Sequence, residues 1–219
     1  MATLDSILTR VRYKARDESE IELTDTLALS FANGILQTIH DHLVSVESSL
    51  VYDSTTVTLV DGTAEYAVNS GNHDGILTHG VWLTDDQDLL PQVNETDLIS
   101  LGYDPTDTGT PERWYLNADN QIGFHPIPDS DCAGDTVTVL YWSPLTELTA
   151  VGDTVPWFGI WDRVVEYWLL FDFLERRESD NTRIASLLDQ YWNLAMQSVY
   201  SRGVRHYAPQ GAMFDAEGV

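Results

Sequence analysis

Apolar residues recur along this chain with two different periods, and the switches between them divide it into three stretches. Leu4, Ile7, Leu8 and Val11 share one face of a helix, with Thr3 placed to cap its first turn. An acidic break from Asp17 to Glu22 follows. Leu27, Phe31, Ile35, Ile39, Leu43 and Val46 then repeat at nearly helical spacing, predicting a second helix from Thr24 or Asp25 to about Glu47. From Ser48 to about Ala150 the texture changes to short runs in which Thr, Val, Tyr and Trp alternate with polar residues. Candidate strands cover Val57 and Leu59, Ala64 to Val68, Ile76 to Leu83, Trp114 to Leu116, Gln121 to His125 and Val137 to Trp142. Asp61-Gly62 between the first two reads as the tight turn of a hairpin. The Asp-rich stretch from Thr84 to Thr110 has room for one short helix, from Thr96 through Leu101.

Helical spacing returns beyond Pro156. Ile160, Val164, Tyr167, Phe171 and Leu174 mark one face, and Trp161, Val165 and Trp168 another, so this helix is apolar nearly all round. Such a helix sits at the centre of a bundle or between subunits. After a turn from Glu178 to Asn181, Ile184, Leu187, Leu188, Tyr191, Trp192, Ala195 and Val199 predict a last helix from about Thr182 to Ser201, with Gly203 placed to stop it. The expected organisation is α+β: N-terminal helices over 1–47, an inserted β domain over 48–150 resembling a sandwich or small barrel, C-terminal helices over 151–203, and an arm over 204–219. The two helical hairpins are expected to join as one antiparallel bundle.

Composition sharpens this picture. Asp and Glu total 35 against 11 Lys plus Arg, a formal charge of −24, and Lys14 is the only lysine. Phosphate readers need clustered cations, so nucleic-acid binding is disfavoured as a class. Disorder is excluded in the other direction, because 43% of the chain is apolar and 7 residues are Trp. Replacement of lysine by short, strongly hydrated carboxylates suits a surface bathed in high salt, where self-repulsion is screened. A halophilic setting is therefore expected. Arg10, Arg12, Lys14 and Arg16 form the only concentrated positive charge, placed to oppose the negative end of the first helix's dipole. The N-terminus lacks an unbroken apolar core and does not read as a signal peptide; no stretch reads as a membrane span.

Catalytic chemistry is not legible. No phosphate loop, HExxH, GxSxG or CxxC occurs, so no catalytic residue, metal ligand or cofactor site is assigned. Cys132 is expected to be a buried or partly buried free thiol in a reducing compartment. His40 and His42 lie two apart on a helix and cannot share a metal, and His73, His79, His125 and His206 are read as non-ligating. Asp85, Asp86, Asp88 and Glu95 lack the alternation of a calcium loop and read as a solvated acidic segment. Asp172, within the apolar helix, is expected to be a buried carboxylate in need of donors. In the arm, Tyr207, Met213 and Phe214 are apolar anchors on an otherwise broken segment, suited to ordering against another protein.

The succession of these pieces resembles a known family. TLDSILTRVRYKARDESE followed by LTDTLALSFANGILQTIHDHL resembles the opening of the adaptor, or head-to-tail connector, proteins of tailed bacteriophages and tailed archaeal viruses. GTAEYAV looks like their early β-hairpin. PERWYLNADNQIGFHPIPD is similar to their Pro-Trp-Tyr and Pro-x-Pro stretch, and DTVTVLYWSPLTELT to their closing strand. Residues 84–110 fit no such motif.

The resemblance implies a structural, non-enzymatic virion protein at the neck, made in the host cytoplasm and assembled as a ring of roughly twelve subunits. Its implied partners are copies of itself, the portal protein and the next neck or tail protein, with genomic DNA passing through the lumen unbound and no membrane contact. The arm with Tyr207, Met213 and Phe214 would then dock on the portal. Trp157, Trp161, Trp168 and Phe171, on and beside the all-round apolar helix, would face a neighbouring subunit. A head-closure or stopper protein is the nearest alternative, and a carbohydrate-binding β module with a Trp-lined cleft the more distant one.

Overall fold

A computed structural model describes residues 2–17, 21–68, 76–85, 88–94, 97–98, 103–117, 119, 121–157, 159–177 and 180–206. The chain forms two compact units, one from Met1–Val51 with Leu145–Val219, the other from Tyr52–Pro144. The described residues hold four helices and two small antiparallel sheets, an α+β chain in which neither sheet closes into a barrel.

In the helical unit, α1 spans Leu4–Ala15 and α2 spans Asp25–Ser45. Thr3 caps α1, its hydroxyl accepting from the Ser6 amide at 3.3 Å, and Thr24 caps α2 by accepting from Leu27 at 3.4 Å. Two further α1 amides find partners across the chain. Leu4 donates to the Asp153 carbonyl at 3.0 Å and Asp5 to the Val151 carbonyl at 2.7 Å, so the segment returning from the β unit satisfies the open helix end. The Asn33 side chain clamps the same segment, donating to the Leu148 carbonyl at 3.0 Å and accepting from its amide at 2.9 Å. On α2 the buried line runs through Ala28, Ala32, Ile35, Leu36, Ile39 and Leu43, while Leu27 and Phe31 are only half-buried.

The loop between α1 and α2 is organised by two buried charged residues. Arg12 donates twice to the Leu23 carbonyl and reaches Asp25 at 2.6 Å. Asp17 accepts from the Leu23 amide at 2.7 Å and from Glu22 at 3.3 Å. Burial raises the Asp17 pKa, but backbone donors from Leu23, Glu22 and Ile21 outweigh it and hold the carboxyl below its ordinary range.

The third helix, α3, spans Ile160–Arg176 and packs against all three others; the fourth, α4, spans Thr182–His206. The all-round apolar character of α3 follows from that position. Gly203 lies inside α4 rather than ending it, contrary to expectation. A glycine within a helix costs about 1 kcal/mol relative to Ala, and it stops a helix only by turning left-handed. The arm's anchors Tyr207, Met213 and Phe214 lie outside the described residues.

At the contact of α1 with α3 sits Glu166, fully buried and met by three cations. Arg10 Nε lies 2.6 Å from one carboxylate oxygen, Arg163 Nη1 2.9 Å from the same oxygen, and Lys14 Nζ 2.5 Å from the other. The only lysine of the chain is thus spent on an internal ion pair, with its ammonium also 4.1 Å from the centre of the Tyr167 ring. The basic run of α1 does more than oppose a helix dipole. It anchors α1 to α3.

In the β unit, β1 (Tyr52–Thr58), β6 (Thr136–Trp142) and β3 (Ile76–Leu83) form one sheet in the order β1-β6-β3. The second sheet, in the order β2-β5-β4, joins β2 (Glu65–Tyr66), β5 (Ile122–His125) and β4 (Arg113–Leu116). One apolar core draws on both sheets, including Val57, Val81, Val137 and Val139 from the first and Trp114, Ile122 and Phe124 from the second. The free thiol of Cys132 is buried in it.

The expected hairpin from Val57 to Val68 forms its turn but not its pairing. Thr63 donates to the Val60 carbonyl at 3.0 Å and Gly62 takes φ 70°. Beyond that turn the chain leaves for the other sheet, where β2 pairs with β5. β1 pairs instead with β6, in register from Tyr52 opposite Trp142 to Thr58 opposite Thr136. A full-length ladder on β6 buries more apolar surface than the two-residue β2 can offer. The local hairpin of the second sheet is β4 with β5, whose turn Asn117 organises by accepting from the Asp119 and Gln121 amides, both at 2.9 Å. The helix expected from Thr96 falls mostly outside the described residues, with Asp97 and Leu98 helical.

Glycine is required at position 123. It pairs with Tyr115, whose ring lies over it where a β-carbon would stand. Gly123→Ala is expected to destabilise the protein by about 1–3 kcal/mol through overpacking, read as a lower urea midpoint.

Burial raises the Glu166 pKa, but Lys14 and Arg10 outweigh that and hold it below the ordinary 4.5. The sign follows from linkage: the ion-pair stabilisation is complete above the unfolded value of 4.5 and is lost as pH falls through the depressed folded value. Glu166→Gln is expected to lower stability at pH 7 by about 2–4 kcal/mol, because it leaves three cations around a neutral amide. Chemical denaturation across pH 3–7 should show that deficit shrinking toward the acid end.

Candidate functional site

Four of the 7 tryptophans belong to the helical unit, and they form a connected aromatic seam. Trp157 stacks near His40 with centroids 6.5 Å apart and meets Trp161 at 6.0 Å. Trp161 and Trp168 both meet Trp192 edge-on at 5.9 Å, and His42 lies 5.1 Å from the same indole. Residues of α2, α3 and α4 therefore converge on Trp192, through ring contacts worth about 0.5–1.5 kcal/mol each beyond area burial. Trp157 adopts φ 57°, a left-handed conformation unusual for a large residue, and the residue is only 9% exposed. The burial of that ring offsets a backbone penalty of about 1–2 kcal/mol.

The residues expected at a subunit interface divide between two environments. Trp157 and Trp161 are buried inside the helical unit itself. Trp168 and Phe171 are half-buried, and together with Ala185, Leu188, Asp189 and Trp192 they line a shallow groove of about 260 Å³ between α3 and α4. Sequence reasoning missed the α4 half of this groove, although the spacing of Ala185, Leu188, Asp189 and Trp192 at three and four residues was the available signal.

Carboxylates accompany the groove. Asp189 lines it, and Glu175 continues the Trp168–Phe171 stripe by one turn. Asp172, one turn beyond Trp168, is half-buried, and no cation among the described residues pairs with it. Burial, reinforced by Glu175, pushes its pKa up to about 6. The carboxylate that is fully buried is Glu166; a charged residue in an otherwise apolar helix was its signal. Asp162, also on α3, has a buried carboxylate oxygen with no hydrogen-bond partner among the described residues, and burial raises its pKa despite Arg10 and Arg163.

In the β unit, His125 is buried with Nε2 3.0 Å from the Asp104 carbonyl oxygen. Arg113 lies over the Tyr103 ring at 4.0 Å and beside Glu112 at 3.1 Å. Trp114 is fully buried and Trp142 packs edge-on against Tyr52 at 4.8 Å, which commits two tryptophans to packing rather than to a sugar-binding cleft. Among the described residues no group of three or more His, Cys, Asp or Glu is placed to hold a metal ion, and no helix is long and apolar enough to cross a membrane.

Because the folded Asp172 holds its proton more tightly than the unfolded residue, its ionised form opposes folding, increasingly as pH rises from 3.8 through about 6. Asp172→Asn is expected to stabilise the isolated chain at pH 7 by about 1 kcal/mol, after discounting for partial solvation, with the gain fading toward pH 4. Thermal melts at the two pH values check this.

Comparison with curated proteins finds no match. The family profile of the SU10 adaptor protein matches residues 2–213, which includes both units and nearly the whole chain. A match of that extent shows that this chain belongs to the SU10 adaptor protein family, a family of phage structural adaptors.

Proposed function

We propose that this chain is one subunit of an adaptor ring of roughly twelve copies at the virion neck, joining the portal to the tail or next neck ring and extending the DNA channel. The family match over residues 2–213 carries the reading. The helical units build the ring as antiparallel bundles, with Trp168 and Phe171 toward a neighbouring subunit, and the β domains form the accessory sandwich layer. Tyr207, Met213 and Phe214 dock on the portal, and DNA passes through the lumen without specific binding. No catalytic step is assigned to the protein.

Charge distribution supports a conduit. Tyr52–Pro144 carries 16 carboxylates and one arginine, formally −15, leaving −9 for the helical unit. That one arginine, Arg113, is already covered by Tyr103 and Glu112. In the helical unit Arg10, Arg12, Lys14 and Arg163 are engaged with Glu166 or Asp25. With those cations paired to carboxylates and the net charge strongly negative, the surface repels phosphate and DNA slides rather than sticks. The same surface suits a virus of a salt-loving host, because concentrated salt screens the repulsion between subunits while strengthening apolar contacts.

Mass photometry and negative-stain microscopy, with and without the portal, test the proposal. The expected result is a ring that persists in molar KCl and has a higher melting temperature there than in dilute buffer. A monomer that ignores the portal would overturn the ring, and greater stability in dilute buffer would overturn the salt adaptation.

A further inference from the structure

The outer strands of the two sheets present edges that need main-chain partners, and the fold supplies those partners unevenly. Beyond β3 the chain returns on itself: Leu83 donates to the Asp88 carbonyl at 3.0 Å and Leu90 to the Val81 carbonyl at 2.9 Å. β3 also carries a register shift between Ile76 and Val81, an irregularity that blunts an edge. β4 is flanked in the same way. Trp114 donates to the Pro91 carbonyl at 3.1 Å, and its own carbonyl accepts from the Val93 amide at 2.9 Å. β2 is only two residues long.

β1 has none of these protections. Its ladder with β6 runs unbroken from Tyr52 to Thr58, and β6 is its only strand neighbour. The Leu59 amide donates to the Asp135 carbonyl at 2.8 Å, which fixes the alternation along the ladder. Asp53, Thr55 and Val57 turn their main-chain groups to β6, so Ser54, Thr56 and Thr58 turn theirs outward. The Ser54 amide bears this out by donating to the Asp53 carboxylate at 2.8 Å. Thr56 and Thr58 have no outer main-chain partner among the described residues, and Ser54, Thr56 and Thr58 are all exposed.

Charge selects what can sit there. Tyr52–Pro144 carries 16 carboxylates and one arginine, so the β1 of a second copy would bring a unit of the same sign. Arg16, Arg176 and Arg183, which have no ion pair among the described residues, belong to helices or to a helix end. This chain therefore has no cationic strand to offer another copy of itself. We infer that the β1 edge docks an extended segment of a different virion protein, one with β-branched side chains flanked by lysine or arginine, added as a further strand beside Ser54, Thr56 and Thr58. Main-chain hydrogen bonds supply the attachment, and the flanking cations select this edge through the negative field of the unit. This inference rests on the adaptor reading, which calls for a partner beyond the ring, and names the part of the subunit that meets it.

Three labelled peptides test it against the full chain: Lys-Thr-Val-Thr-Val-Thr-Lys, its counterpart with glutamate at both ends, and Asp-Ser-Thr-Thr-Val-Thr, the sequence of β1 itself. Fluorescence anisotropy reads binding, and deuterium exchange reads the β1 amides. The lysine peptide is expected to bind saturably and to slow exchange at Thr56 and Thr58, and the glutamate peptide to bind about tenfold more weakly. Thr56→Pro removes an outward N–H while leaving the β6 ladder its bonds, and is expected to weaken the lysine peptide about tenfold with the circular dichroism spectrum unchanged. Should that variant misfold, Thr56→Lys, a like charge on an exposed position, is expected to weaken the same peptide by a similar factor. Unchanged exchange at Thr56 and Thr58 overturns the inference, as does equal binding of the lysine and glutamate peptides. Tightest binding by the β1 sequence overturns it in favour of a second copy. Ring formation with the portal, sized separately, tests the adaptor reading alone: rings with an unprotected β1 edge retire only this inference, whereas a protected edge on a chain that never forms rings retires the adaptor role and leaves a strand-binding edge.

Discussion

A carboxylate shut away from water must be matched by cations or neutralised, and Glu166 is matched by three. Much of the helical unit depends on that requirement. Arg10 and Lys14 are one turn apart on α1, so pairing both with a single side chain on α3 sets the rotation of one helix against the other. Lys14 is held charged above its ordinary range: burial would lower its pKa, but Glu166 and Tyr167 outweigh that. Tyr167 then stacks on Tyr191 at 5.1 Å, carrying the same contact onward to α4. Removing one partner of such a buried cluster leaves charge uncompensated, at a cost of about 3–5 kcal/mol.

This internal use of positive charge has an external consequence. A chain with only 11 Lys plus Arg, several of them committed to ion pairs that hold loops and helices, leaves few cations free against 35 carboxylates. The β unit carries this furthest, with Arg113 folded against Tyr103.

The helices were legible because their periodicity is local. Thr3 and Thr24 as caps, the ends of α1 and α2, and the apolar wrap of α3 can all be read from neighbours within a few turns. Strand positions were legible too, but strand partners were not. Asp61-Gly62 correctly marks a turn, yet β1 finds β6 about eighty residues on, because pairing follows the longest ladder that buries the Val57 and Val139 faces. At the candidate site, Trp168 and Phe171 lie at a surface while Trp157 and Trp161 are sealed inside. Spacing alone could not separate them, since an all-round apolar helix has no face that announces solvent. Asp172 drew attention as a charge in an apolar run. Glu166, in the same run, is the one fully buried.

What the sequence by itself determined was the kind and order of the elements, the acidic surface and the resemblance to adaptor proteins, for these reside in local periodicity, in composition and in the succession of motifs. Only the tertiary structure decided which strand pairs with which, which carboxylate is enclosed by the scarce cations, and which tryptophans remain exposed to line a groove. Those outcomes depend on groups brought together from opposite ends of the chain, as Arg10 and Lys14 are with Glu166. The desolvation and packing energies that choose among them exist only once the chain has closed on itself.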